Sequence, residues 1–283
     1  MTLSEIIRIF REAGIEDAPW EARLLASHFT GWSTARLMTA GAEDLYAFAP
    51  ELENAVRRRA NREPLQYIVG EWPFMGLSFA VSPACLIPRP DTETLCEAAL
   101  GCLKPDARTA DLCTGSGCIG ISLAHYRPDI TVTAVDIDPD AAGCARENAA
   151  RLGVANRFSV RLGDVTAPVF AAEETFDCIV ANPPYIALDE MKTLKPELAH
   201  EPRHALTDEG DGLSVIRGVL ENAARSLAPD GVLFIEFGSS QGESVRAMAR
   251  EYGFTGEILR DLGGNDRVLY ARRAASSAII QTE

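Results

Sequence analysis

Little in this chain is long and apolar, strongly basic, or paired for metal binding. No stretch of its 283 residues approaches the apolar length needed to cross a bilayer, and no membrane partner is expected. Met1-Thr2-Leu3-Ser4-Glu5 lacks the basic segment followed by an apolar one that marks a secretory leader. The seven cysteines, at 85, 96, 102, 113, 118, 144 and 178, include no C-x-x-C pair, and several lie in apolar runs, where a reduced, buried thiol is expected. The four histidines, at 28, 125, 200 and 204, show no ligand-like spacing with cysteines or carboxylates, so no metal is expected, and His200 and His204 read as loop decoration. Positive charge is scarce: 27 Lys and Arg face 41 Asp and Glu, a net charge of −14. That field repels phosphate backbones, which argues against direct nucleic-acid binding. The one dense basic run, Arg57-Arg58-Arg59 with Arg62, falls at helical spacing and is expected to be a solvated helix face. A monomer in the cytoplasm is the resulting expectation.

With 47% apolar and 24% charged residues, the chain has the composition of an ordinary globular protein and the length for one large domain plus a smaller one. No internal repeat or low-complexity segment interrupts it. Residues 1–63 carry helical periodicity, with Ile6, Ile7, Ile9 and Phe10 on one segment and Leu24, Leu25 and Phe29 on the next. Asp17 before Pro19 reads as a helix cap. Residues 64–84 change texture to the strand-like runs Gln66–Val69 and Leu77–Val81, which predict a hairpin linker. In Leu86-Ile87-Pro88-Arg89-Pro90-Asp91, two prolines forbid regular structure and Asp91 is placed to cap a helix beginning near Thr92. Residues 85–275 then alternate strand and helix, with strands predicted at 109–113, 131–136, 158–162, 176–181, 231–237, 255–259 and 267–271. Alternation of this kind gives a mostly parallel α/β sheet with helices on both faces. Residues 276–283 read as a loose tail.

The chemistry begins in Asp111-Leu112-Cys113-Thr114-Gly115-Ser116-Gly117-Cys118-Ile119-Gly120, which follows the first of these strands and opens a helix. Small residues there let a ligand approach the backbone at a helix N-terminus. Gly115, Gly117 and Gly120 satisfy G-x-G-x-x-G, and Asp136 lies near the spacing of a ribose-binding acid, so a dinucleotide reading stands beside others. Asp111, just ahead of the turn, suits the cationic ammonium of S-adenosylmethionine better than a pyrophosphate edge. Asp136 can accept from both hydroxyls of a ribose, because a carboxylate only accepts. Asp164, with Val165 behind it, sits where an adenine amine would be met, although a plain turn aspartate reads equally well.

Ala181-Asn182-Pro183-Pro184-Tyr185 ends the fourth strand, at the carboxyl edge where open α/β sheets bind ligands. The prolines remove two donors and fix φ, leaving the Asn182 side-chain oxygen and the Pro183 carbonyl to converge on one planar NH2 group. Tyr185 is expected to offer a ring face to the planar substrate. An amide and an adenine both carry such an NH2, and the motif does not choose between them. The acidic composition does, since a nucleobase enzyme needs a positive groove.

Arg62-Glu63-Pro64-Leu65-Gln66-Tyr67, Leu86–Glu93, the glycine turn, Asn182–Tyr185, His200–Leu206 and Arg260–Arg267 together resemble the PrmC/HemK family of glutamine methyltransferases across nearly the whole sequence. The resemblance implies a Rossmann-like class I S-adenosylmethionine-dependent methyltransferase domain with a mostly parallel seven-stranded sheet, a small all-helical N-terminal docking domain and a hairpin linker. It implies methyl transfer to the glutamine of the Gly-Gly-Gln motif of class 1 peptide chain release factors. The cofactor contacts would then be Asp111, Cys113, Thr114, Gly115, Ser116, Gly117, Asp136, Asp164, Val165 and Asn182, and Asn182, Pro183, Pro184 and Tyr185 would hold the substrate. Cys113 departs from the glycine more usual there, and the sister enzymes acting on ribosomal protein L3 often carry Cys-Thr-Gly-Ser-Gly-Cys. Methylation of that protein is therefore the alternative, with adenine methylation and nicotinamide-dependent oxidoreduction more remote.

Overall fold

A computed structural model describes residues 1–39 and 49–274. The chain opens with helices α1 (Leu3–Glu12), α2 (Ala18–Thr30), α3 (Thr34–Thr39), α4 (Ala49–Ala60) and the short α5 (Leu65–Val69). Thr2 and Glu5 close a reciprocal capping box at the start of α1. Ile6 and Phe10 of α1 meet Ala22 and Leu25 of α2, Leu52 and Val56 of α4, and Leu65 and Ile68 of α5 in a core of their own. No described helix is long and apolar enough to cross a membrane.

Several local expectations change here. Asp17 occupies the cap position of α2, but its side chain makes no capping hydrogen bond. Gln66–Val69 is helical rather than extended, because Pro64 starts a turn and Leu65 and Ile68 are drawn into the helical core. The hairpin instead pairs β1 (Glu71–Phe74) with β2 (Leu77–Ala80). Arg59 is not on a solvated face: it is 4% exposed and bonds both Glu21 and Glu197. The helix α6 (Pro90–Cys102) starts two residues before Thr92, so Asp91 lies in its first turn and Arg89 holds the uncapped N-terminal position. The tail expected over residues 276–283 lies outside the described residues.

The α/β part follows in the order β3 (Arg108–Leu112), α7 (Cys118–Tyr126), β4 (Thr131–Asp136), α8 (Pro139–Arg151), β5 (Phe158–Leu162), β6 (Phe176–Ala181), α9 (Ser214–Ser226), β7 (Leu227–Glu236), α10 (Gly242–Glu251), β8 (Phe254–Arg260) and β9 (Asp266–Arg273). These strands form one seven-stranded sheet in the order β5-β4-β3-β6-β7-β9-β8, parallel except for β9, which runs antiparallel to both neighbours. Successive side chains of a strand point to opposite faces. Accordingly Cys178 and Val180 of β6 join a core with Leu95 of α6, Ile119 of α7 and Ala145 of α8. Ile179 and Ala181 join a second core with Val219 of α9 and Val245 of α10. The chain leaves β3 toward β4 on one side and later returns to its other side as β6. The cleft created by that reversal opens at the carboxyl ends of β3, β4 and β6, where the sequence motifs lie.

Candidate active site

The turn after β3 is a backbone feature first. Cys113, Gly115 and Gly117 all have positive φ, at 60°, 54° and 80°. Gly117 is the N-cap of α7, and a Cβ there would stand 2.6 Å from Ile121 Cδ1 and 3.2 Å from Ala145 Cβ. At Gly120 a Cβ would meet the Asp111 carboxylate at 2.8 Å. Asp111 itself is fully buried and does not reach the cleft wall. Its Oδ2 accepts from Thr114 Oγ1 at 2.6 Å and from the Gly120 amide at 3.0 Å. Burial pushes its pKa up to about 7, against the two hydrogen bonds. Asp111 thus braces the turn through Oδ2, while its buried Oδ1 has no hydrogen-bond partner.

Cys113, Thr114, Gly115, Ser116, Asp136, Asp164, Val165 and Asn182 all line one cavity of about 590 Å³; Gly117 shapes the turn from behind it. Asp136, at the end of β4, is 7% exposed; Oδ2 accepts from Gly115 N at 2.7 Å and Oδ1 from Asp138 N at 3.0 Å. A carboxylate has about four acceptor positions, so capacity remains for a ligand diol. Burial raises its pKa. Asp138 caps α8, as its place before Pro139 predicts, accepting from Asp140 and Ala141. Asp164 makes an Asx-type turn, Oδ1 accepting from Thr166 N at 2.8 Å and Oγ1 at 2.7 Å, and lines the cavity.

Asn182 follows β6 at the cavity wall, with Pro184 beside it. Its Nδ2 donates to Thr92 Oγ1 at 3.2 Å. Pro183 is buried and Tyr185 is not on the wall. The Tyr185 ring packs into the second sheet core, its hydroxyl donates to Glu236 at 3.2 Å, and its carbonyl accepts from Gln241 at 2.9 Å. Half-buried Tyr185 thus anchors the turn through its hydroxyl and carbonyl.

Sequence reasoning missed the walls that come from distant segments. Ile137, 58% exposed, gives the cavity an apolar surface. Arg203–Ala205 and Thr207–Glu209 also line it, with His204 Nε2 3.2 Å from Asp138 Oδ2. The loop before α6 is held by the Tyr67 hydroxyl, which donates to the Cys85 carbonyl at 2.7 Å, and by Glu201, which accepts from Ile87 N and Arg89. Asn148 of α8 ties β2 to the glycine turn, donating to Ala80 O at 3.0 Å and Ser116 O at 2.9 Å. All seven cysteines are free thiols.

A seven-stranded sheet with one reversed strand, a glycine turn after its first strand, an acid ending the second and Asn-Pro-Pro-Tyr ending the fourth define a Rossmann-like class I methyltransferase. The fold agrees with solved structures of a ribosomal protein L11 methylase from Lactobacillus delbrueckii subsp. bulgaricus (22% identity, 69% of this chain and 84% of that one, TM-score 0.50) and a methyltransferase from Pyrococcus furiosus (19% identity, 71% and 91%, TM-score 0.51). Residues 2–70 match the PrmC N-terminal domain and residues 96–224 the methyltransferase small domain. The release factor glutamine methyltransferase of Moorella thermoacetica is 41% identical over 96% of this chain and 97% of its own, and that of Cereibacter sphaeroides is 42% identical over 93% and 94%. The chain belongs to the release factor glutamine methyltransferase family.

Proposed function

We propose that this protein transfers a methyl group from S-adenosyl-L-methionine to the side-chain amide nitrogen, N5, of the glutamine in the Gly-Gly-Gln motif of class 1 peptide chain release factors. The observation that carries the reading is the meeting of Asn182, at the end of β6, with the cavity formed by the glycine turn and Asp136. The cavity's size suits a nucleoside-bearing cofactor, within the about 300–1,000 Å³ usual for such sites. Ser116 Oγ, buried in its wall without a partner, is a further polar atom available to that group. Asp136 would hold the ribose hydroxyls, Ile137 would cover one face of the adenine, and Asp164 with Val165 would flank its edge. Thr114, Gly115 and Cys113 would approach through the backbone of the turn, which Asp111 and Gly117 keep in shape. When bound, that group would supply an electrophilic sulfonium methyl and leave as neutral S-adenosyl-L-homocysteine as the new N–C bond replaces its S–CH3 bond, the methylated nitrogen losing one proton to water.

The residues of this chain then have to make a poor nucleophile react. An amide nitrogen delocalises its lone pair into its carbonyl. Acceptors at Asn182 Oδ1 and the Pro183 carbonyl would favour a more pyramidal nitrogen in the transition state, while Pro184 and Tyr185 hold their turn rigid. Orientation toward the methyl can supply up to about 7–11 kcal/mol of the barrier. Direct displacement as proposed draws on no metal.

Residues 1–63 are proposed as the docking domain for the release factor, 64–84 as the linker and 85–275 as the catalytic domain, acting as a monomer in the cytoplasm. The net charge of −14 argues against a direct nucleic-acid partner. The relatives' names favour the release factor over ribosomal protein L3, and neither nicotinamide chemistry nor a phosphate-binding groove gives Asn182–Tyr185 a role. The test is transfer of labelled methyl to a purified class 1 release factor, to the same factor with its Gly-Gly-Gln glutamine replaced, and to ribosomal protein L3. Label on the intact factor alone is expected. Label on L3 alone overturns the substrate, and label on none of them overturns the reading.

A further inference from the structure

Two thiols that the sequence sets 59 residues apart meet at the wall of the cavity: Cys85 Sγ lies 3.6 Å from Cys144 Sγ. Cys85 follows the hairpin, is 1% exposed and lines the cavity between Ala84 and Leu86. Cys144 lies on α8, is half-buried and stands behind that wall rather than in it. The methyl transfer proposed above uses neither.

Their surroundings prepare the two sulfurs unequally. As a thiol, Cys144 donates to the Ala80 carbonyl at 3.4 Å. As a thiolate it has two donors beside it, the Cys85 thiol and Asn148 Nδ2 at 3.7 Å. The Cys85 hydrogen bond lowers the Cys144 pKa, against burial and the charge of Glu147. The same contact, with burial, raises that of Cys85 and keeps its proton in place. Since the thiolate is the reactive form, the more exposed Cys144 reacts first and Cys85 second.

We propose that Cys85 and Cys144 form a thiol oxidation site, which a hydroperoxide converts to a disulfide that draws on two walls of the cavity. The Cys144 thiolate attacks one oxygen of hydrogen peroxide and breaks the O–O bond, giving a sulfenic acid and a hydroxide that takes up the proton Cys144 had released. The Cys85 sulfur then attacks the sulfenic sulfur; the S–S bond forms as the S–O bond breaks, and the departing hydroxyl leaves with the Cys85 proton as water. Each sulfur is oxidised by one electron, the peroxide is reduced by two, and two waters result.

Closing the bond needs the sulfurs about 1.5 Å closer than they stand. The loop carrying Cys85 cannot simply follow, because the Tyr67 hydroxyl holds the Cys85 carbonyl and Glu201 holds Ile87 N and Arg89. On the other side, Asn148 ties α8 to Ala80 O and Ser116 O. The pull therefore falls on the loop at 84–89 and, through Ser116, on the glycine turn. A shift of this size at a binding site can cost about 100-fold, so affinity for a ligand of the cavity should weaken by about 10- to 100-fold. The identity of that ligand rests on the cofactor reading above; the disulfide does not.

The test treats the full chain with hydrogen peroxide and uses S-adenosyl-L-homocysteine as the probe of the cavity. Mass spectrometry of an unreduced digest should show one peptide joining Cys85 to Cys144, lighter by two hydrogens than the two thiol peptides together. The probe's Kd, by calorimetry, should weaken by the factor above, and dithiothreitol should reverse both changes. Cys144→Ser keeps a hydroxyl for Ala80 O; it should melt and bind the probe like the reduced wild type, and peroxide should leave its Kd unchanged. Coupling between two sites is reciprocal, so in a glutathione redox buffer a saturating probe should shift the wild type toward the two thiols by the same factor. Cys113 and Cys118 also line the cavity, so an equal loss of affinity in peroxide-treated Cys144→Ser would belong to them and overturn the proposal. Absence of the linked peptide overturns it, as does a linked peptide with an unchanged Kd. A reduced protein that gives the linked peptide but binds no probe overturns the cofactor reading instead and leaves the oxidation site standing.

Discussion

Asn182 and Asp136 do separable work, and single substitutions should separate them. Asn182→Ala removes an acceptor whose value is greatest as the amide nitrogen pyramidalises, so kcat should fall by about 10²–10³ while cofactor Kd barely changes. Retention of wild-type turnover would remove Asn182 from the chemistry. Asp136→Ala deletes a charged acceptor, and at about 1.5–3 kcal/mol for such a bond the cofactor Kd should weaken by about 10- to 100-fold, measured by calorimetry. Both residues were legible in the sequence because each ends a strand whose alternation is visible locally. Asp111, Pro183 and Tyr185 were found as members of motifs, but their places behind the wall were not. Burial of Asp111 depends on how closely α7 packs over β3, and the bond from the Tyr185 hydroxyl depends on β7 supplying Glu236, facts that no local pattern carries. Cys113 adds strain: a non-glycine residue at φ 60° costs on the order of 1 kcal/mol, which glycine would avoid.

At the scale of elements, the site depends on polar side chains that join one segment to another. Asn148, fully buried in α8, accepts from Ala80 N at 2.7 Å while donating to Ala80 O and Ser116 O, so it fixes the hairpin and the glycine turn to one helix. Asn148→Ala should cost about 1–3 kcal/mol for each buried group left unpaired and should weaken the cofactor as well, because the turn loses its support. Unfolding in urea and a cofactor titration check the two halves. Arg59 joins α4 to α2 through Glu21 and to the segment after β6 through Glu197; burial works against its charge, and the two carboxylates outweigh it. Arg59→Ala leaves Glu21 without its cation, while Glu197 keeps Arg62 at 2.7 Å, and should destabilise by up to about 3 kcal/mol. The sequence showed Arg59 only as one of a basic run, since its partners lie 38 and 138 residues away. Gln66–Val69 was misread for a related reason: a four-residue apolar run has no period long enough to tell strand from helix, and contact with Leu52 and Val56 decides it. The strands β4, β5 and β6 were read with their observed limits because β4 and β5 alternate visibly and β6 is a mostly apolar run, each bounded by turn residues.

For the whole molecule, buried acids should make stability depend on pH in a direction opposite to the usual one for paired carboxylates. Burial lifts Asp111 from 3.8 and Glu236 from 4.5, each to about 7. Between pH about 4.5 and 7 the unfolded chain has released these two protons and the native protein still holds them, so the unfolded state binds fewer protons and stability falls as pH rises. Above about 7 both states are ionised and this loss stops growing. Glu63, held low by its hydrogen bonds from Arg58, acts the other way, contributing stability that is present above the ordinary carboxylate range and lost as pH falls through and below it. The net charge of −14 adds repulsion in the same direction as the buried acids when pH rises. The cofactor-free protein should therefore melt several degrees lower at pH 8 than at pH 5.5. The slope should flatten in the double variant Asp111→Asn, Glu236→Gln, which cannot titrate at either position. A melting temperature that rises over this range would mean that both acids are already ionised in the native state below pH 7, against the lift that burial gives them.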